Sequence, residues 1–235
     1  MLRRKSATGR SAIVLAAGSG SRLGAATNKV WLPLGGRELV SWSLRWLYET
    51  KLFDRFIVVT HPDEREFARE TLQKHLHFPI DYVDGGSSRH NSETRALEYI
   101  APTIEQGICK TVLIHDGARP LAAPSLIKRI VQTAEAEGGA LPYLESAALD
   151  GAPAGERLVR VQTPQVFKAS PLLLAYRAAA AAGFEGSDTC MCMEQFQPHV
   201  PVIAVRGTAQ NLKVTYPQDL VMAEHMLASQ KFDLR

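Results

Sequence analysis

Apolar runs of strand length alternate along this chain with segments of helical period. "SAIVLAAG", residues 11–18, is a first buried strand. "ELVSWSLRWLYET" follows, with apolar positions at Leu39, Val40, Trp42, Leu44, Trp46 and Leu47, the wide face of a buried helix. "DRFIVVTHP" is a second strand, stopped by Pro62. "DEREFARETLQKHL" is a helix with its acids in the first turn, where the macrodipole favours them. "IDYVDGG" is a short strand ending in a turn, "SETRALEYIAPTI" a helix, and "KTVLIHDGARP" a strong strand running into a polar turn. "APSLIKRIVQTAEAEG" is a helix stopped at Gly138 and Gly139, and "GALPYLES" a further strand. Repeated strand–helix–strand units predict a doubly wound α/β fold, its sheet mostly parallel and covered by helices on both faces. Ligands of such sheets bind at the carboxyl ends of the strands. Polar clusters fall there, after Ala17, after Asp84 and after Ile114.

The pattern weakens over "AALDGAPAG", residues 147–155, then resumes as apolar–polar alternation in "ERLVRVQTPQVF", a hairpin that could reach away from the body. "SPLLLAYRAAAAAG" reads as a helix with Ser170 as N-cap, Pro171 at its first position and Gly183 as its stop. "PVIAVRG" is a late strand, and "YPQDLVMAEHMLASQ" a closing helix for which Thr215 is the expected cap. No internal repeat is present. Residues 1–10 read as an N-terminal extension, and 11–235 as one domain.

Composition narrows the picture modestly. The chain has 235 residues, 46% of them apolar, enough for one sizeable core. A net charge of +3 with scattered Lys and Arg lacks the clustering of a nucleic-acid surface, and suits a pocket for a phosphorylated small molecule. Cys109, Cys190 and Cys192 make no disulfide framework or metal spacing, and read as small buried side chains. No segment approaches the roughly 20 apolar residues of a membrane span, and the basic start "MLRRKSATGR" leads into no signal-peptide core. A cytoplasmic protein is expected.

Four clusters carry candidate chemistry. In "AAGSGSRLG", Gly18, Gly20 and Gly24 form a glycine-rich turn after a buried strand, a way to present backbone N–H groups to phosphate. Dinucleotide oxidoreductases, kinases and nucleotidyltransferases all use such a turn. Its spacing is one residue too long for the dinucleotide fingerprint, and the next strand ends without a ribose-binding acid, which weakens the hydride-transfer reading. Arg22 and Lys29 suit a triphosphate better, one as a bidentate fork and the other as a point charge. In "DGGSSRHNS", Gly85 and Gly86 would let backbone approach a flat base, with Arg89 and Ser92 supporting the loop. In "IHDGARP", Asp116 at a strand end could hold Mg²⁺ or a substrate hydroxyl, and Arg119 could meet a phosphate. His115 beside them reads as a packed core histidine. In "NLKVTYPQDL", Lys213 is a candidate third cation.

Read in order, "AAGSGSRLG" with Lys29, "DGGSSRHNS", "HDGARP", "TPQVF" and "NLKVTYPQDL" resemble the 2-C-methyl-D-erythritol 4-phosphate cytidylyltransferase family over residues 13 to about 225. The resemblance implies a Rossmann-like nucleotidyltransferase fold with a short protruding β-arm, a CTP site, Mg²⁺, and a homodimer joined by an arm at about residues 146–163. It implies that Arg22, Lys29 and Lys213 surround the triphosphate as the catalytic cations. Ala16, Ala17, Gly18, Gly20, Gly86 and Ser92 would bind the nucleotide. Asp116, Arg119, Ser146, Thr163 and Ser187 would address a sugar-alcohol phosphate, with Asp116 also the metal ligand and Arg157 the arm residue reaching the partner. Some positions depart from the family pattern. Asn28-Lys29-Val30 stands where Pro-Lys-Gln is usual, Glu145-Ser146 where Asp-Thr is usual, and Ser187-Asp188-Thr189 where Thr-Asp-Asp/Glu is usual. The arm is several residues short. Rival readings are a cytidylyltransferase for another acceptor, such as ribitol 5-phosphate, and a non-catalytic nucleotide-binding homologue.

Overall fold

The computed structural model of the chain describes residues 8–18, 28–145 and 159–229. Ten strands and seven α-helices run through them. In chain order they are β1 (Arg10–Ala16), β2 (Pro33–Leu34), β3 (Arg37–Glu38), α1 (Leu39–Glu49), β4 (Arg55–Thr60), α2 (Arg65–Gln73), β5 (Asp81–Asp84) and α3 (Arg89–Glu105). Next come β6 (Thr111–Asp116), α4 (Pro124–Glu137), β7 (Gly139–Glu145), β8 (Val159–Val161), β9 (Gln165–Lys168), α5 (Ala169–Ala182), α6 (Thr189–Phe196), β10 (Val202–Arg206) and α7 (Pro217–Ser229).

The main sheet has the order β10-β7-β9-β6-β1-β4-β5, with β8 beside β7; β2 and β3 make a separate small hairpin. β1 pairs in parallel with both β4 and β6, β4 with β5, and β7 with β10. The sheet is therefore mostly parallel, as the alternation predicts. The exceptions are β8 and β9, which run antiparallel to their neighbours.

Alternation along the central strands divides the core in two. Ala12, Val14 and Ala16 of β1, Phe56 and Val58 of β4 and Leu113 of β6 pack on one face against α1, α2, α4 and α7. Ile13, Ile57, Val59, Val112 and Ile114 pack on the other against α3, α5 and α6. Both faces are buried, so these strands read as continuous apolar runs. Among the described residues no helix is long and apolar enough to cross a membrane. All three cysteines are free and buried, and burial pushes the Cys192 thiol up to about 12.

Four local expectations are corrected. Residues 165–168 do not leave the body: β9 fills the middle of the main sheet, between β6 and β7, while β8 pairs with the exposed end of β7 and residues 146–158 of the expected arm lie outside the described residues. Gly139 of β7 makes room for β9, because a Cβ there would stand 2.5 Å from the Phe167 ring. α5 starts at Ala169, with no side-chain cap, so Ser170 is not the N-cap. The junction is held instead by backbone bonds, Lys168 N to Gly138 O at 2.9 Å and Ala169 N to Lys110 O at 2.8 Å. α3 begins at Arg89 rather than Ser92, since the Ser88 hydroxyl caps it by accepting from Asn91 N. The Thr215 side chain does not cap α7: the Asp219 carboxylate reaches back and accepts from the backbone N–H groups of Thr215 and Tyr216. α6 carries no apolar stripe long enough to be read beforehand. Asp188 caps it by accepting from Met191 N at 2.9 Å.

Phe167 is fully buried where β9 joins the two halves of the sheet. Phe167→Ala should cost about 3–5 kcal/mol of stability, read by urea unfolding. A loss under about 1 kcal/mol would show that the middle of the sheet does not depend on this ring.

Candidate active site

The carboxyl ends of β1, β4 and β6 open into a cavity of about 650 Å³. β1 lies between β4 and β6, so the chain winds away from it in both directions, and the cavity sits at that switch point. Leu15, Ala17 and Gly18 form its floor. One wall is Gly86, Ser87, Ser88, Arg89 and Ser92. Lys29 and His61 stand on one side, and Asp116, Ser187 and Lys213 on another. Gly85 is required beneath the wall. It donates to Thr60 O at 2.7 Å, and a Cβ on it would strike the Ala17 side chain. Gly86 N donates to Ser92 Oγ at 3.0 Å, so the serine fixes the loop from the first turn of α3.

Asp116 is the electrostatic centre. It ends β6, is buried, and meets three cations: Arg89 Nη1 at 2.5 Å, Lys213 Nζ at 2.8 Å and Arg119 Nε at 3.5 Å. Burial alone would raise its pKa, but Arg89, Lys213 and Arg119 together hold the carboxyl well below the usual carboxylate range. The Arg89 guanidinium is correspondingly raised: burial opposes its charge, and Asp116 and Glu93 outweigh burial.

Neighbouring groups keep Asp116 in place from behind. The Thr163 hydroxyl accepts from Asp116 N at 3.0 Å and donates to His115 Nδ1 at 3.1 Å; His115 Nε2 then donates to Arg119 O at 3.2 Å. Both ring nitrogens are satisfied with the imidazole neutral, and burial lowers its pKa to about 4. Arg119 Nη1 donates to Asn211 O at 2.7 Å, and Asn211 is tied to Thr163 O and Gln162. These bonds set the course of the 211–213 segment and deliver Lys213 to the cavity.

Asn28, which precedes Lys29, is tied back to the end of β1. Its Nδ2 donates to Ala16 O at 2.5 Å and to Glu64 Oε2 at 3.1 Å, and the same Glu64 oxygen accepts from Trp31 Nε1 at 3.0 Å. Asn28 thereby does what a proline's fixed backbone would otherwise do: it sets where Lys29 enters the cavity.

Of the residues singled out from sequence, Ala17, Gly18, Lys29, Gly86, Ser92, Asp116, Ser187 and Lys213 meet at this cavity. Ala16 lies just beneath it, its carbonyl engaged by Asn28. Arg119 and Thr163 are buried behind Asp116 and hold it, rather than facing the opening. Gly20, Arg22, Ser146 and Arg157 lie outside the described residues. In this structure both oxygens of Asp116, the expected metal ligand, face cations. Among the described residues no cluster of three or more His, Cys, Asp or Glu side chains could hold an ion. Sequence reasoning gave Arg89 only a loop-supporting role and passed over Glu93 and the tie between Gln162 and Asn211. Arg89 and Asp116 are separated by a whole helix and a whole strand, and no spacing announces their contact.

A doubly wound sheet with a cation-rich cavity at its switch point suits a phosphorylated ligand, and the relatives of the chain narrow this to an α/β nucleotidyltransferase. The family described as 2-C-methyl-D-erythritol 4-phosphate cytidylyltransferase matches residues 11–229. The protein of that name from Cereibacter sphaeroides is 37% identical over 227 residues, covering 93% of this chain and 96% of its own. The one from Bacillus mycoides is 33% identical, covering 93% and 98%. Among solved structures, 4-diphosphocytidyl-2C-methyl-D-erythritol synthase from Anaerococcus prevotii superposes with a TM-score of 0.78 at 26% identity, covering 93% of this chain and 96% of that one. The Thermus thermophilus cytidylyltransferase superposes at 0.69 and 28% identity, covering 92% and 98%. The chain belongs to the 2-C-methyl-D-erythritol 4-phosphate cytidylyltransferase family.

Two outcomes follow from this geometry. Asn28→Ala should lower kcat/KM for CTP by about tenfold or more, because a small displacement of a charge-bearing loop is costly; unchanged kinetics would remove Asn28 from this role. His115 takes up its proton at about 4 when folded, against about 6.5 when unfolded. Its contribution is thus complete above pH 6.5 and falls away towards pH 4, by up to about 1.4 kcal/mol per pH unit. Urea unfolding at pH 7 and pH 5 should show a smaller acid loss in His115→Asn than in the parent chain.

Proposed function

We propose that this chain transfers the cytidylyl group of CTP to 2-C-methyl-D-erythritol 4-phosphate, releasing pyrophosphate. The observation that carries the reading is the cavity itself, which Lys29 and Lys213 both line at the carboxyl edge of the sheet, with Lys213 paired to the buried Asp116. The acceptor's phosphate oxygen attacks the α-phosphorus of CTP. A new P–O bond forms as the bond to the pyrophosphate oxygen breaks, and the pyrophosphate leaves with that electron pair. A phosphate monoester is already anionic near neutral pH, so no general base is needed. The obstacle is repulsion between two anions, and fixed cations lower it most effectively where water is excluded.

Lys213 is suited to this task. Its side chain is 39% exposed, so it can turn from Asp116 towards an arriving phosphate. Lys29 supplies the second charge from the opposite wall, and Arg22 a third by its place in the glycine loop. Asp116, relieved of Lys213, is free to accept a hydroxyl of the acceptor. Mg²⁺ that enters with CTP would be held by phosphate oxygens, the usual mode for this ion beside polyphosphate. The reading includes a homodimer joined through residues 146–163; support comes from β8, whose Val159 and Val161 remain 45% and 38% exposed.

The test is pyrophosphate release with each of the four nucleoside triphosphates, against 2-C-methyl-D-erythritol 4-phosphate and ribitol 5-phosphate. CTP with the methylerythritol acceptor should be preferred. Preference for ribitol 5-phosphate would overturn the acceptor, and nucleotide binding without pyrophosphate release would overturn the activity. Lys29→Ala and Lys213→Ala should each reduce kcat by about 10²-fold or more, the range for one lost transition-state donor. Near-normal turnover in either would refute its assigned role.

A further inference from the structure

Glu93 is a buried carboxylate that the proposed chemistry does not use. It sits in the second turn of α3 and is fully buried. Its Oε1 accepts from Arg89 Nε at 3.0 Å and from Thr189 Oγ1 at 3.2 Å, and its Oε2 accepts from the Tyr176 hydroxyl. Tyr176 in turn stacks on His90, ring centroids 4.7 Å apart. Three elements, α3, α5 and α6, thus converge on one carboxylate. Such a group is costly to bury, and a well-packed apolar side chain would stabilise an ordinary core at least as well.

The carboxylate's effect lies one residue further on. Arg89 gives Nε to Glu93 and Nη1 to Asp116, while its Nη2 is closed off from solvent without a partner. The guanidinium is therefore held between two carboxylates, with Nε committed to one and Nη1 to the other. A planar fork held at both ends cannot rotate, and its position fixes Asp116 Oδ1. The other oxygen, Oδ2, faces Lys213 and the cavity. We propose that Glu93 is a positioning residue for the transfer reaction: with Tyr176 and Thr189 it locks Arg89 as an internal counter-ion, so that Asp116 presents one fixed oxygen to the acceptor. This rests on the cytidylyl-transfer reading for its substrate, not for its geometry.

The experiment is a kinetic cycle with Glu93→Gln and Asp116→Asn, alone and combined, with KM and kcat measured separately for CTP and for acceptor. Glu93→Gln keeps shape but turns one of the two acceptor oxygens that hold Arg89, Thr189 and Tyr176 into an amide donor. It should lower kcat/KM for the acceptor about fivefold or more, leaving KM for CTP within about twofold. In the Asp116→Asn background it should cause no further loss, since the oxygen it positions is already gone. Tyr176→Phe removes one donor to Glu93 without reaching the cavity, and should produce a smaller loss of the same kind. Wild-type acceptor kinetics in both Glu93→Gln and Tyr176→Phe would overturn the proposal. So would losses that simply multiply in the double variant, as independent sites do. If the enzyme turns over a different acceptor, the cycle is read with that acceptor: the acceptor assignment then fails, while the role of Glu93 stands or falls on the coupling.

Discussion

The structure of the site depends on one buried ion cluster, the Asp116 carboxylate enclosed by Arg89, Arg119 and Lys213. A carboxylate in such a place is stable only because it is surrounded by positive charge and because its backbone N–H is itself bonded, to Thr163. Each cation comes from a different part of the chain: the start of α3, the turn after β6, and the segment before α7. The carboxylate therefore serves as a pin. It gathers basic groups that would repel one another, and holds them at one end of the sheet.

The sheet supplies the frame for that pin. β1, β4 and β6 are parallel and buried on both faces, so their carboxyl ends form a rigid edge. β9 enters antiparallel beside β6, and its approach carries Gln162 and Thr163 to the back of Asp116. The antiparallel insertion is thus part of the site. It brings a hydroxyl to a strand end that a purely parallel neighbour would have left to its own loop. His115 completes this rear layer as a neutral group, adding no charge to a cluster already rich in cations.

Two departures from the family pattern acquire physical content. Asn28, where proline is usual, replaces a fixed backbone angle with bonds to Ala16 O and Glu64. Val30 packs in the core beside Trp31, whose indole shares the same glutamate. On the acceptor side, Ser187 reaches the cavity, and Asp188 next to it is used as the cap of α6.

Much of this was legible along the chain. Period-2 and period-3.6 apolar patterns determine the strands and most helices, because burial of one face is a local demand on spacing. The same logic places "HDGARP" and the start of the glycine-rich stretch, Ala17 and Gly18, at the carboxyl edge. What only the tertiary structure decided are relations between distant segments. Residues 165–168 carry a strand signal that says nothing about whether they protrude or fill the sheet; Gly139 and Phe167 settle it by fit. Helix starts moved where backbone partners from other elements, or a carboxylate one turn on, made a local cap unnecessary. Arg89 meets Asp116, and Glu93 meets Tyr176, only because α3 packs along α5 with its first turn at the carboxyl end of β6. Charge pairing acts through space, over a few ångströms, and sequence spacing carries no record of it.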